Sequence, residues 1–231
     1  MDINQIVKEE KRIKETIDRE CVDPAGKSEP IYDGIANPEL YLQSKQRILW
    51  ILKEPYDKGE KLGDAEDGGW SMAEAMNNEP DKLSRWKVFQ PICYINYGIW
   101  TGDDDWIDMP ALNNSEEIRQ GIRKIAYINI SKLPGLKGTP DGRIVEAYQN
   151  HRGIILDQIK TYAPNIIFAC KPHANLILKD LGFAESQWKQ FGTAASIQIS
   201  SEQRLVRVRH PSQRSSRAEY VNDAIKAAIT G

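Results

Sequence analysis

Arg47 to Lys58 reads R-I-L-W-I-L-K-E-P-Y-D-K, and this stretch decides the fold. Ile48, Leu49, Trp50, Ile51 and Leu52 form one apolar run, which Pro55 follows closely. A short apolar run ended by a proline reads as a strand buried on both faces, as in a parallel sheet. The chemistry then changes abruptly. Lys53, Glu54, Tyr56 and Asp57 place a cation, two carboxylates and a phenol just past the strand. Pro55 stiffens the turn and pushes Glu54 toward an extended backbone. Ligands of open α/β sheets bind outside the carboxyl ends of the strands. Glu54 and Tyr56 are therefore candidates for a site; the competing reading is a surface turn with a solvated Lys–Glu pair.

Working outward, two more runs have the same character: I-A-Y-I-N-I at Ile125 to Ile130, interrupted by Asn129, and N-I-I-F-A-C at Asn165 to Cys170. Ser196 to Ser200 and Leu205 to Val208 read as further strands. Helical spacing of apolar residues predicts helices near Ile3 to Cys21, Pro38 to Ser44, Leu83 to Trp100, Arg143 to Tyr162, His173 to Leu181 and Arg217 to Ile229. Ser71 is placed to cap a helix beginning at Met72, with Glu74 in the reciprocal position. Apolar strands alternating with helices imply an α/β fold whose sheet is parallel or mostly parallel and covered on both faces. Residues 1–45 read as an N-terminal helical extension and loop, and 46–231 as the α/β domain.

The 231 residues suffice for one domain with a substantial core. Lys and Arg number 31 against 33 Asp and Glu, a formal charge of −2, so the chain as a whole is no basic nucleic-acid binder. No apolar run reaches the roughly 18 residues of a membrane span, and the charged N-terminus has no signal-peptide core. Cys21, Cys93 and Cys170 are widely separated and form no C-x-x-C pair, which points to reduced, buried thiols in a cytoplasmic protein. Phosphate loops, dinucleotide turns and nucleophile elbows are absent from the sequence.

Polar residues collect at the strand ends: Glu54 and Tyr56, Asn129, His173, and His210 with Ser212. In a parallel sheet all of these lie on one edge. Asn129 needs hydrogen bonds if buried, from a neighbouring loop or from a ligand. His173 reads as the first residue of a helix rather than a ligand. Trp70 follows a glycine-rich acidic loop and reads as a core aromatic or as a mobile stacking face. Arg204, Arg207, Arg209 and Arg214 occur with no intervening acid, and strand alternation puts Arg207 and Arg209 on one face. The segment is either a solvated edge strand or a phosphate-binding surface.

The ordered set L-K-E-P-Y (Leu52 to Tyr56), G-G-W-S (Gly68 to Ser71), Y-I-N (Tyr127 to Asn129), F-A-C-K-P-H-A (Phe168 to Ala174) and H-P-S (His210 to Ser212) resembles the motifs of the uracil-DNA glycosylase superfamily. The resemblance runs from about Arg47 to the C-terminus, and H-P-S is its most specific member. It implies a three-layer α/β/α sandwich with a short central parallel sheet. It also implies hydrolysis of the N-glycosidic bond of uracil or another modified base in DNA, after the nucleotide is flipped out. On that resemblance Glu54 and His210 are catalytic, and Tyr56, Trp70 and Asn129 hold the base. Lys53, Lys171, Arg209, Ser212 and Arg214 meet the nucleic-acid backbone. No metal or cofactor is implied. The expected partner is single- or double-stranded DNA, with no membrane, and the chain is expected to be a monomer.

The sequence also departs from the family. Glu54 replaces an aspartate, Lys53 a glutamine and Asp57 a histidine, and Arg214 stands where many members carry an apolar wedge. The acidic stretches Asp57 to Asp67 and Asp103 to Asp105 repel phosphate. Three cysteines argue against the iron–sulfur branch. Two other readings compete: a binding protein that keeps the fold without the activity, and a hydrolase of a smaller nucleoside-like substrate.

Overall fold

The computed structural model describes residues 2–55, 68–135, 140–213 and 216–230. Tyr56, Asp57 and the rest of the acidic loop to Asp67 lie outside the described residues, as does Arg214.

Helix α1 (Ile3–Glu20) is followed by β1 (Gly34–Ile35), α2 (Pro38–Gln43) and β2 (Ile48–Leu52). Then come α3 (Met72–Asn78), α4 (Pro80–Leu83), α5 (Phe89–Thr101), α6 (Glu116–Gln120) and β3 (Ala126–Asn129). The chain continues through α7 (Asp141–Tyr162), β4 (Ile166–Cys170), α8 (His173–Asp180), β5 (Lys189–Phe191), β6 (Ala194–Gln198), β7 (Arg204–Val208) and α9 (Arg217–Ile229). The strands form a seven-stranded sheet in the order β1-β3-β2-β4-β7-β6-β5. Its centre, β3-β2-β4-β7, is parallel. β1, β6 and β5 add antiparallel edges, so the sheet is mixed.

Every residue of β2 is buried, because helices cover both faces. Trp50, Phe168 and Val206 face a core that includes residues of α3, α5 and α9. Leu49, Ile51, Ile128 and Ile167 face the other core, with residues of α1, α7 and α8. The Trp50 and Phe168 rings stack at 4.2 Å, and Trp50 Nε1 donates to Asn96 Oδ1 at 3.0 Å. The bond lets a buried indole keep its polar atom satisfied.

Several helix starts follow from their caps. Asp2, Asn37, Ser71, Ser115 and Ser216 each accept a backbone N–H from the first turn of the following helix. The Leu83 to Trp100 expectation is corrected: α4 ends at Leu83 and α5 begins at Phe89. Turns at 84–88 leave Trp86 38% exposed, where a single helix would have buried it. The strand expected at Ser196 to Ser200 sits two residues earlier, as β6.

The first 45 residues contribute to both sheet and core. β1 pairs with β3, Gly34 opposite Tyr127 and Ile35 opposite Ala126. Ile6, Ile13 and Ile17 of α1 are buried.

Candidate functional site

The carboxyl ends of β2, β3, β4 and β7 meet on one edge. Leu52 pairs with Asn129, Ile51 with Ala169, and Cys170 with Val208. The ladder extends past the strands: Ile130 N–H donates to the Leu52 carbonyl at 2.9 Å, Ser131 N–H to the Lys53 carbonyl at 2.9 Å, and Lys171 N–H to the Val208 carbonyl at 3.4 Å. Lys53, Glu54, Asn129, Lys171 and His210 are thereby delivered to the same edge. Asn129 alternates with Ile128, which faces the α1, α7 and α8 side. Asn129 therefore points to the opposite side, where Trp70 packs, half-buried, on the core.

Asn129 is fully buried, and neither its amide nitrogen nor its amide oxygen has a partner among the described residues. A buried primary amide with both ends unpaired costs several kcal/mol in general. Its backbone is firmly held: Asn129 N–H donates to Asp33 Oδ2 at 2.7 Å. The loop reading of Asn129, in which a neighbouring backbone satisfies the amide, finds no support among the described residues.

His210 is held by its own turn. Its Nδ1 accepts the Ser212 hydroxyl at 2.8 Å and the Ser212 N–H at 3.3 Å. Two donors on Nδ1 leave the ring proton on Nε2, so His210 presents a neutral N–H. Desolvation, with the Lys53 charge adding to it, pushes its pKa down to about 4. Ser212, expected at a nucleic-acid backbone, thus also holds the imidazole.

His173 begins α8, as expected, and is fully buried. Its Nε2 lies 2.9 Å from the Ile51 carbonyl and 3.1 Å from the Cys170 amide, tying the end of β2 to that of β4. Burial takes its pKa down to about 4 as well, aided by the Lys53 charge. Both histidines stay neutral in the native state while an unfolded chain protonates them near 6.5. Stability from this source is fully present above about 6.5 and is lost as pH falls from there to about 4. The melting temperature should therefore fall across that window, and less steeply in His210→Gln; an equal slope in the variant would contradict the assignment.

Glu54 is half-buried and lies against Gly135. Gly135 N–H donates to the Pro55 carbonyl at 2.8 Å, drawing the two loops together. A side chain at 135 would overlap the Glu54 carboxyl, so the close approach requires glycine there. Lys53 Nζ forms an ion pair with Asp141 at 2.5 Å, at the start of α7.

Of the cations expected at a nucleic-acid backbone, Lys171 and Arg209 are exposed. Arg207, expected beside Arg209, is used internally. Its guanidinium lies over the Trp188 ring at 4.8 Å and donates to Asn175 Oδ1 at 3.2 Å. Arg204 likewise bonds Gln198 and the Ala228 carbonyl.

Sequence reasoning missed the support behind the site. Lys132 and Asp33 form a fully buried ion pair, with Nζ at 2.9 and 2.8 Å from the two carboxylate oxygens. Gln158 joins both, accepting from Lys132 and donating to Asp33, each at 2.9 Å. Next to it the Glu10 carboxyl is buried beside Tyr162, and desolvation raises its pKa to about 7. Segment Pro30 to Asp33 grips both sides of the site. Pro30 and Tyr32 bond the chain at Gly69, Trp70 and Met72, while Ile31 and Asp33 bond Lys132 and Asn129.

No family model and no curated protein matches this chain. What the site can do is read from its chemistry: a neutral donor, an unpaired amide, a carboxylate and an aromatic wall on one sheet edge. Among the described residues no cluster of His, Cys, Asp and Glu is able to hold a metal ion, and no helix is long and apolar enough to cross a membrane.

Proposed function

We propose that this chain is a divergent relative of the uracil-DNA glycosylases that hydrolyses the N-glycosidic bond of uracil or another modified base. One observation carries the reading: the buried amide of Asn129, unpaired at both ends, on the sheet edge shared with the neutral His210. An amide presents a donor and an acceptor side by side, the complement of a pyrimidine edge carrying a carbonyl and an N–H. A base entering from Trp70's side would satisfy both.

The chemistry follows from charge. As the C1′–N bond breaks, its electron pair goes to the base and spreads onto a carbonyl oxygen. His210 Nε2–H stabilises that oxygen as a fixed donor, without having to lose a proton first. The sugar becomes cationic, and the Glu54 carboxylate stabilises it and orients water. Water adds to C1′, and its proton is shed to the carboxylate or solvent. The departing base takes up a proton afterwards. The products are free base and an abasic sugar.

The test is release of free base from oligonucleotides carrying uracil, hypoxanthine or other altered bases, single- and double-stranded. Asn129→Asp should cut uracil release about 10- to 100-fold, because a donor facing the base is replaced by an acceptor. If the wild-type protein frees no base from any of these substrates, the hydrolytic reading is abandoned.

A further inference from the structure

We propose that the turn ahead of α5 is a docking surface for single-stranded nucleic acid, with a base stacked on Trp86 and phosphates against Arg85 and Lys87. The inference rests on the proposed function and deepens it, naming a strand rather than a free nucleoside as substrate.

The position of the turn follows from the direction of α5. Trp100 Nε1, near the end of α5, donates to the Gln46 carbonyl at 3.0 Å, just before β2 begins. Arg204, at the start of β7, donates to the Ala228 carbonyl near the end of α9 at 2.7 Å. Both helices thus end at the amino edge of the sheet, and they pack side by side, with Ile225 against Gly98. Residues 84–88 precede α5, so they lie at the end of the helix away from Gln46, where the Phe89 ring packs 5.4 Å from that of Tyr127 in β3.

The turn has the chemistry of a stacking platform. Trp86 is 38% exposed, while the Phe89 ring, fully buried, supports it at 6.3 Å between centroids. Arg85 and Lys87 on either side are exposed, and neither has a carboxylate partner among the described residues. The preceding acids in the sequence are engaged elsewhere, Asp81 by Arg119 and Glu79 by Lys82. Lys171 and Arg209, at the carboxyl edge of the sheet, are exposed cations as well. A part-exposed indole between two exposed cations matches a base and its flanking phosphates. A duplex keeps its base faces stacked inside, so the matching form is a single strand.

Anisotropy of a short labelled oligothymidine reads the proposal without any excisable base. Wild-type protein should bind it more tightly than the same sequence as duplex, and more weakly as salt rises. Trp86→Ala should lose about 10-fold in affinity, and Trp86→Phe much less. The paired reversal Arg85→Glu with Lys87→Glu should weaken binding and flatten the salt dependence by about 1.4, or 0.7 per lost phosphate contact. Thermal melting checks that each variant folds; if Trp86→Ala does not, Trp86→Phe and the charge reversal decide. Unchanged affinity in the folded variants, or equal binding of duplex and single strand, overturns the proposal. So does full competition by polyphosphate, which has charge but no bases. Strand binding with no base release from any substrate would sink the hydrolytic reading and leave this surface standing. Base release that ignores Trp86→Ala would sink this surface alone.

Discussion

His210→Ala should lower the rate of base release about 100- to 1000-fold, the loss typical of removing one preorganised donor to a developing oxyanion. The effect should appear in the single-turnover rate rather than in substrate affinity, because the donor matters only once the base carries charge. Affinity for an uncleaved analogue should hardly change, since Asn129 and Trp70 remain. Ser212→Ala should give a smaller loss: it removes the hydroxyl on Nδ1 but leaves the Ser212 N–H there. The wild-type profile should run flat through pH 6.5 and fall only toward about 4, where the ring takes a second proton. Glu54→Gln should also slow the reaction, and Glu54→Asp asks whether the longer arm is needed. A His210→Ala protein with undiminished single-turnover rate would remove the imidazole from the mechanism.

Lys132→Met should destabilise the fold by about 3–5 kcal/mol, the usual cost of leaving a buried charge without its partner. Asp33 would then keep Gln158 and the Asn129 N–H but lose the ammonium that neutralises it. The double change Lys132→Met with Asp33→Asn should recover part of the loss, because no charge is left to bury. Urea unfolding of the two single variants and the double measures the coupling. If Lys132→Met unfolds at the wild-type midpoint, the pair contributes nothing. Strictly additive costs would mean that the partners are energetically independent.

The central strands were legible because burial on both faces removes every polar residue from them, as in Ile48 to Leu52 and Ile166 to Cys170. The terminal helices were legible from spacing and caps; the Arg217 to Ile229 expectation coincides with α9. β1 and β5 left no signal, since two or three residues carry no period. Trp86 falls inside the helix expected near Leu83 to Trp100, and only the turn at 84–88 shows otherwise. Strand ends showed where polar groups would gather, so Glu54, Asn129 and His210 could be named. Lys132 could not: a lysine after an apolar strand is nearly always solvated, and its partner Asp33 is almost a hundred residues away, in a Pro- and Gly-rich loop. The proton position on His210 also needed Ser212 in place, since spacing alone does not say which nitrogen is occupied.

Gly135 makes the length of the acid at position 54 a property of two loops at once. The carboxyl of Glu54 occupies the space where a side chain at 135 would stand. A side chain at 135 and the Glu54 arm in its present conformation therefore exclude each other. A lineage that gains a side chain at 135 must shorten or turn the acid. A lineage that shortens the acid opens a gap of about one methylene, which a small side chain at 135 could then occupy. Which acid sits after β2 is in this sense recorded twice, once as a residue and once as a missing one.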